Sequence, residues 1–128
     1  MLEFDAETKL ALDRGAQLFN DGAYFEAHEV WEDAWRIEVG RIKTFLQGLI
    51  KVAAGFYKAE GGVPAGAIKL LRGGLEQLQT FSDDELATPL ALAKFVKGVA
   101  ACLAAIERDP THRFSKSEVP FLGFAAEP

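Results

Sequence analysis

The 128-residue chain has few of the features that define several large classes of protein. It has one cysteine, Cys102, so it forms no internal disulfide and nothing in it requires an oxidising compartment. Cys102 lies in a run of small apolar residues, which predicts a buried, unreactive thiol. No apolar run approaches the roughly 18 residues that a membrane-spanning helix needs. We therefore expect no membrane partner.

Basic charge is also scarce. The chain has 14 Lys and Arg residues against 19 Asp and Glu residues, a net charge of -5. Binding to nucleic acid relies on a basic surface, so we expect no nucleic-acid partner either. The acidic N-terminal sequence, Met1 to Asp5, lacks the basic region of a secretory signal peptide. These features predict a cytoplasmic protein.

Strand patterns are nearly absent, because long period-2 alternation of β-branched residues does not occur. Apolar residues recur instead at spacings of three and four, between glycines and prolines. The sequence predicts an all-α fold: a compact bundle of about five helices built from helical hairpins, with an irregular C-terminal tail. The expected helices cover about residues 5–19, 24–37 and 43–59, a fourth begins at Pro64 with an apolar stripe through Leu78, and a fifth covers 89–108.

Two features near the fourth and fifth helices carry specific predictions. Gly73-Gly74 falls inside the fourth helix, where each glycine costs about 1 kcal/mol relative to alanine. The pair therefore predicts close approach of another helix. Ser82 and Glu85 resemble a capping box, and Thr88-Pro89 is a second helix-start signal.

The last residues differ from the rest of the chain. We divide the chain into a helical bundle domain, residues 1–110, and an extended C-terminal tail, residues 111–128. Pro120 and Gly123 disfavour a helix there, whereas Phe114, Phe121 and Phe124 are apolar. We expect this tail to pack on the bundle or on a partner subunit. A homodimer is the default expectation, because dimers are the commonest homo-oligomers.

Chemically active side chains are densest in the second predicted helix. His28 and Glu32 are four residues apart and therefore adjacent on its surface. An imidazole and a carboxylate at this spacing can both reach one divalent metal ion, although a catalytic zinc site normally takes three protein ligands. The same two side chains can instead hydrogen-bond to each other and form a polar seam with a neighbouring helix. Both interpretations stay open at this point.

Aromatic and polar residues around that pair have alternative roles too. Trp31 and Trp35 are one helical turn apart; core packing is the expected role, and exposed rings would mark a binding surface. Gln47 and Lys51 of the third helix either contact a carboxylate of the second helix or lie on the solvated edge of the third helix. The chain has no phosphate-binding loop and no G-x-S-x-G motif, so whether it is an enzyme stays open.

A family resemblance rests on the second and third helices. The segment FNDGAYFEAHEVWEDAWR at 19–36, followed by FLQGLIKVAAGFY at 45–57, resembles the family called domain of unknown function 309, over about residues 12 to 80. The resemblance implies a small, all-helical bacterial or archaeal bundle with no established activity. Many members carry a histidine where this chain has Lys58. The pocket residues that the resemblance marks are His28, Glu29, Glu32, Trp35 and Gln47.

Two functions follow as hypotheses. In the first, His28, Glu29 and Glu32 face Gln47 across a polar pocket that binds a divalent metal ion or a small ligand. If that pocket is catalytic, His28 or Glu29 is its general base. In the second, the chain is a tetratricopeptide-like helical interaction module without catalytic activity, which docks a protein partner through a groove or the tail. The burial of the His28 and Glu32 side chains distinguishes the two hypotheses, because an enclosed pair favours the ligand-binding pocket.

Overall fold

The computed structural model describes residues 2–86 and 91–123, which form an all-α bundle of five helices. The predicted fold class is confirmed. Within these residues there is no named β-strand, and no helix is both long and apolar enough to cross a membrane. The helices are α1 (Ala6–Asn20), α2 (Tyr24–Ile37), α3 (Gly40–Glu60), α4 (Pro64–Leu78) and α5 (Leu92–Arg108).

Most helix boundaries agree with the sequence pattern. The bounds of α2 are those predicted, and α3 begins three residues earlier than expected, at Gly40. Glu38 and Val39 are extended and Gly40 has a φ of +66°, so the break between the helices falls before this glycine. The expected start of the fifth helix at Thr88-Pro89 lies outside the described residues, as does Phe124.

Helices that follow each other in sequence pack together, and their apolar faces form one core. Trp31 is fully buried in it, and its Nε1 donates a hydrogen bond to the Leu12 carbonyl oxygen at 3.3 Å. The expected core role of Trp31 is thereby confirmed. Cys102 is 4% exposed, and burial raises the pKa of its thiol to about 11, so the predicted buried thiol is confirmed as well.

Glycines allow α3 and α4 to approach each other closely. A Cβ atom at Gly48 would lie 2.8 Å from Cδ2 of Leu78, and one at Gly55 would lie 2.8 Å from Cδ2 of Leu71. Gly74 of α4 faces α3 in the same way, which confirms the close approach predicted from Gly73-Gly74. This tight packing fixes α3, which forms one wall of the candidate site.

The connection between α4 and α5 contains the capping box predicted from Ser82 and Glu85. It closes a single 3-10 turn, Asp83–Glu85, rather than a longer helix. The Asp83 carboxylate then reaches forward to α5, accepting hydrogen bonds from the Leu92 and Ala93 backbone N–H groups at 2.7 and 3.3 Å.

The described part of the tail, residues 111–123, lies against the bundle at several points. Leu122 is 1% exposed, and the Phe114 ring meets the edge of Phe56 with centroids 5.6 Å apart. The Cys102 thiol donates to the Glu118 carbonyl oxygen at 3.4 Å. Division of the chain into a bundle domain and a tail remains a prediction.

Candidate functional site

The candidate site is built on α2, which begins after Gly22 in the left-handed conformation at φ +85°. Ala27, Trp31 and Ala34 are buried and fix which face of α2 points inward. With about 100° between successive residues, His28 then falls at the edge of that face, toward α3.

His28 and Glu32 are brought together as their spacing predicts. His28 Nε2 lies 3.4 Å from Glu32 Oε2, and the two side chains are 23% and 34% exposed. Glu32 also accepts a hydrogen bond from Arg36 Nη2 at 3.0 Å. The other ring nitrogen, His28 Nδ1, is buried and has no hydrogen-bond partner among the described residues. The pair is therefore a partly exposed polar contact on the flank of α2.

One face of His28 lines a small open cleft between α2 and α3. The cleft has a volume of about 170 Å³, and we call it the His28 cleft. Two aromatic rings stand at it: the Phe25 centroid is 5.2 Å from that of Tyr57 and 5.7 Å from the His28 ring. Phe25 and Tyr57 are 43% and 44% exposed, so their rings are open to an incoming group. The residues that line the His28 cleft are Phe25, His28, Ala54, Tyr57 and Lys58.

Glu29 lies on the other side of α2. It is exposed and, together with Glu32, lines a separate groove that includes Arg14 and Leu18 of α1. Glu32 thus stands between the two depressions, in contact with His28 and at the edge of the α1–α2 groove. Glu32 contacts His28 but does not itself line the His28 cleft.

Trp35 and Gln47 have other neighbours. The Lys43 ammonium lies 4.3 Å from the centroid of the Trp35 ring, in a cation–π contact. Trp35 Nε1 is buried and finds no hydrogen-bond acceptor within the described chain. Gln47 Oε1 accepts from Gln77 Nε2 of α4 at 3.0 Å. The polar end of Gln47 therefore engages α4, and its role in a binding pocket stays a prediction.

The described residues contain no group of three or more His, Cys, Asp or Glu side chains placed to hold a metal ion. His28 and Glu32 offer one nitrogen and one carboxylate. A metal role for this pair remains a prediction.

Phe25 and Tyr57 were missing from the pocket predicted from sequence. The helical wheel contains a signal for Phe25, because this residue lies three positions before His28 and therefore on the same flank of α2. Tyr57 could not be located without the register of α3 against α2. Lys58 also lines the His28 cleft.

Comparison with known proteins gives one family. The family described as "Domain of unknown function (DUF309)" matches residues 12–70, which include α2, α3 and the whole His28 cleft. This match confirms the family resemblance. No curated protein matches the chain.

Proposed function

We propose that this chain, whose residues 12–70 carry the DUF309 match, binds a small ligand in the His28 cleft. The observation that carries the proposal is the pair of exposed rings, Phe25 and Tyr57, 5.2 Å apart beside the His28 imidazole. Small-ligand sites combine apolar and aromatic walls with a few polar groups that orient the ligand. The His28 cleft has both components within two turns of α2 and α3.

Size and charge indicate the kind of ligand. An apolar cavity of about 150 Å³ is large enough for benzene, and the His28 cleft is of similar volume at about 170 Å³. A ring-sized apolar body can therefore pack against the exposed sides of Phe25 and Tyr57. Lys58 supplies a cation beside the imidazole ring of His28. Together they favour a small carboxylate with an apolar or aromatic body.

A divalent metal ion is the other ligand to test. Two ligands held about 2.1 Å from a tetrahedral zinc ion are roughly 3.4 Å apart. The distance between His28 Nε2 and Glu32 Oε2 is 3.4 Å. Since structural zinc sites take four ligands and catalytic sites three, the further ligands would come from water, the bound molecule or another subunit.

The experiment is a titration of ¹⁵N-labelled protein, followed by NMR, with benzoate and separately with zinc chloride. The matched variants are His28→Gln and His112→Gln, which each remove one of the two histidines. We expect benzoate to shift the amide signals of residues 25, 28, 54, 57 and 58, and His28→Gln to weaken the effect. If zinc shifts the amide signals of residues 28 and 32 in wild type and in His112→Gln, but not in His28→Gln, the His28–Glu32 pair binds the metal.

Two results would contradict the proposal. One is the absence of saturable shifts with either probe. The other is an identical response in wild type and His28→Gln, since a ligand held in the His28 cleft must sense the loss of the imidazole.

An interaction module is the second candidate function. Ile37 and Val39 are 70% and 78% exposed at the connection between α2 and α3, and exposed apolar side chains mark many interfaces. The test is sedimentation of wild type and the double variant Ile37→Lys, Val39→Lys. A wild-type dimer that the double variant converts to monomer supports a homodimeric module; a wild-type monomer contradicts it.

A further inference from the structure

We propose that a second cavity of this protein binds a zwitterion with an apolar side chain, that is, a free α-amino acid. The cavity lies between the α1–α2 turn, the last turn of α3 and the described tail, and we call it the tail cavity. It is distinct from the His28 cleft and has a volume of about 320 Å³, within the range of roughly 300 to 1,000 Å³ for small-ligand sites. Its charged lining residues are Asp21, Glu60, Arg113 and Lys116.

Aromatic rings supply the apolar part of the tail cavity. Tyr24 and Phe56 are buried and stand with centroids 5.6 Å apart. The Phe114 ring from the tail meets Phe56 at an interplanar angle of 79°. These three rings line the cavity and have suitable chemistry for contact with an aliphatic side chain, because removal of apolar surface from water is favourable.

Charges of both signs line the same cavity without pairing. Asp21 and Glu60 are acidic, Arg113 and Lys116 are basic, and none of the four has an oppositely charged group within 4.0 Å in residues 2–86 and 91–123. Because the opposite charges are kept apart, a molecule that carries both an ammonium and a carboxylate can contact each. A purely anionic or cationic ligand would meet repulsion from one of the two sets.

Arg113 is suited to the carboxylate. Its Nη1 donates to the carbonyl oxygens of Thr111 and His112 at 3.2 and 3.5 Å, and Nη2 lies over Gly62. The guanidinium is thus anchored on one nitrogen and keeps donors for a bidentate contact. Glu60, which lines the same cavity, is the acceptor for the ammonium.

The Tyr24 hydroxyl adds a neutral donor. It makes no hydrogen bond to another residue of the described chain, and burial, reinforced by the negative charge of Glu60, raises the pKa of the phenol. The group is therefore protonated at pH 7 and can donate a hydrogen bond to a ligand oxygen.

The experiment compares three compounds that share the isobutyl group of leucine, by calorimetry and NMR: L-leucine, 4-methylpentanoate and 3-methylbutylamine. We expect saturable binding of leucine and at least tenfold weaker binding of the other two, each of which lacks one charge. Arg113→Gln and Glu60→Gln should each weaken leucine binding at least tenfold. Arg108→Gln, which removes a cation at the end of α5 outside the cavity, should not.

Different results would contradict the proposal for the tail cavity and the proposal for the His28 cleft. His28→Gln should leave leucine binding unchanged, because His28 does not line the tail cavity. No saturable binding of leucine, equal affinity for all three compounds, or leucine-induced shifts confined to the His28 cleft would overturn the inference.

Discussion

Gly74 of α4 lies against Val52 of α3 so closely that a Cβ atom on the glycine would stand 2.7 Å from Val52 Cγ2. The same atom would be 3.0 Å from the carbonyl oxygen of Gly48, which belongs to a backbone that cannot move aside without shifting α3. At the preceding Gly73, a Cβ would meet only the flexible side chain of Lys51, at 3.4 Å. Of the two adjacent glycines, Gly74 is therefore the one that the helix contact requires.

The first prediction concerns this pair of glycines. Gly74→Ala should lower the free energy of unfolding by about 1 to 3 kcal/mol, the cost of overpacking a close contact. Gly73→Ala is the matched control and should be neutral or stabilising by up to about 1 kcal/mol, since alanine is the better helix former. Urea denaturation measures both. Equal stability of the two variants would show that α3 and α4 are not in this contact.

The second prediction concerns the start of α5. The Asp83 carboxylate accepts from two backbone N–H groups of the first turn, so Asp83→Ala should lower the free energy of unfolding by about 1 kcal/mol. Asp84→Ala is the control, because the Asp84 side chain makes no hydrogen bond within the described residues. If both substitutions have the same effect in urea denaturation, Asp83 does not cap α5.

The third prediction tests attachment of the tail. The Asn20 side-chain amide donates to the Leu122 carbonyl oxygen and accepts from the Leu122 N–H, both at 2.8 Å. Asn20→Ala leaves both backbone groups without these partners and should cost about 1 to 3 kcal/mol. We also expect faster proteolysis within residues 111–123. Gln17→Ala, an exposed change on the same helix, should alter neither quantity; unchanged proteolysis in Asn20→Ala would contradict the contact.

The fourth prediction is a dependence of stability on pH. The Ser82 backbone N–H donates to Glu85 at 3.1 Å, and this bond, with the Arg41 ion pair, lowers the pKa of the Glu85 carboxyl below its ordinary value of 4.5. A lowered folded-state pKa contributes stability above pH 4.5 that is lost as the pH falls through the folded-state pKa. The urea denaturation midpoint should therefore fall less between pH 6 and pH 3 in Glu85→Gln than in wild type.

A control separates this effect from a general effect of charge. Glu76→Gln also removes one carboxylate, from an exposed position on α4 without a hydrogen bond in the described structure. The urea denaturation midpoint of this variant should fall with pH about as steeply as that of wild type. Identical pH profiles for Glu85→Gln and wild type would count against the role of Glu85.

Local sequence patterns were sufficient to predict most of the bundle. The limits of α2 follow from the glycine before Tyr24 and the apolar spacing that ends at Ile37, and both agree with the structure. Trp31 was predicted to be in the core, and it is buried together with Ala27 and Ala34 on the same face of α2. The start of α3 was predicted three residues too late because a glycine ends one helix as readily as it opens the next. The φ of +66° at Gly40, after two extended residues, decides between these roles.

Long-range pairings could not be predicted in the same way. The bond between Asn20 and Leu122 joins residues 102 positions apart, and Gln47 meets Gln77 only because α4 packs on α3. The candidate site also contains one contact that could be predicted from a single helix and one that could not. The contact of His28 with Glu32 follows from one helical turn, whereas the ring of Tyr57 reaches Phe25 through the register of two helices.

The most direct test of ligand binding in the His28 cleft is the dissociation constant of benzoate for wild type, Phe25→Ala and Leu10→Ala. Phe25 and Leu10 are both exposed apolar residues, 43% and 69%, but only Phe25 lines the His28 cleft. An aromatic contact is worth about 0.5 to 1.5 kcal/mol, so we expect Phe25→Ala to weaken binding by roughly 2- to 12-fold and Leu10→Ala to leave it unchanged. Equal affinity in all three proteins, or no saturable binding in wild type, would contradict the account.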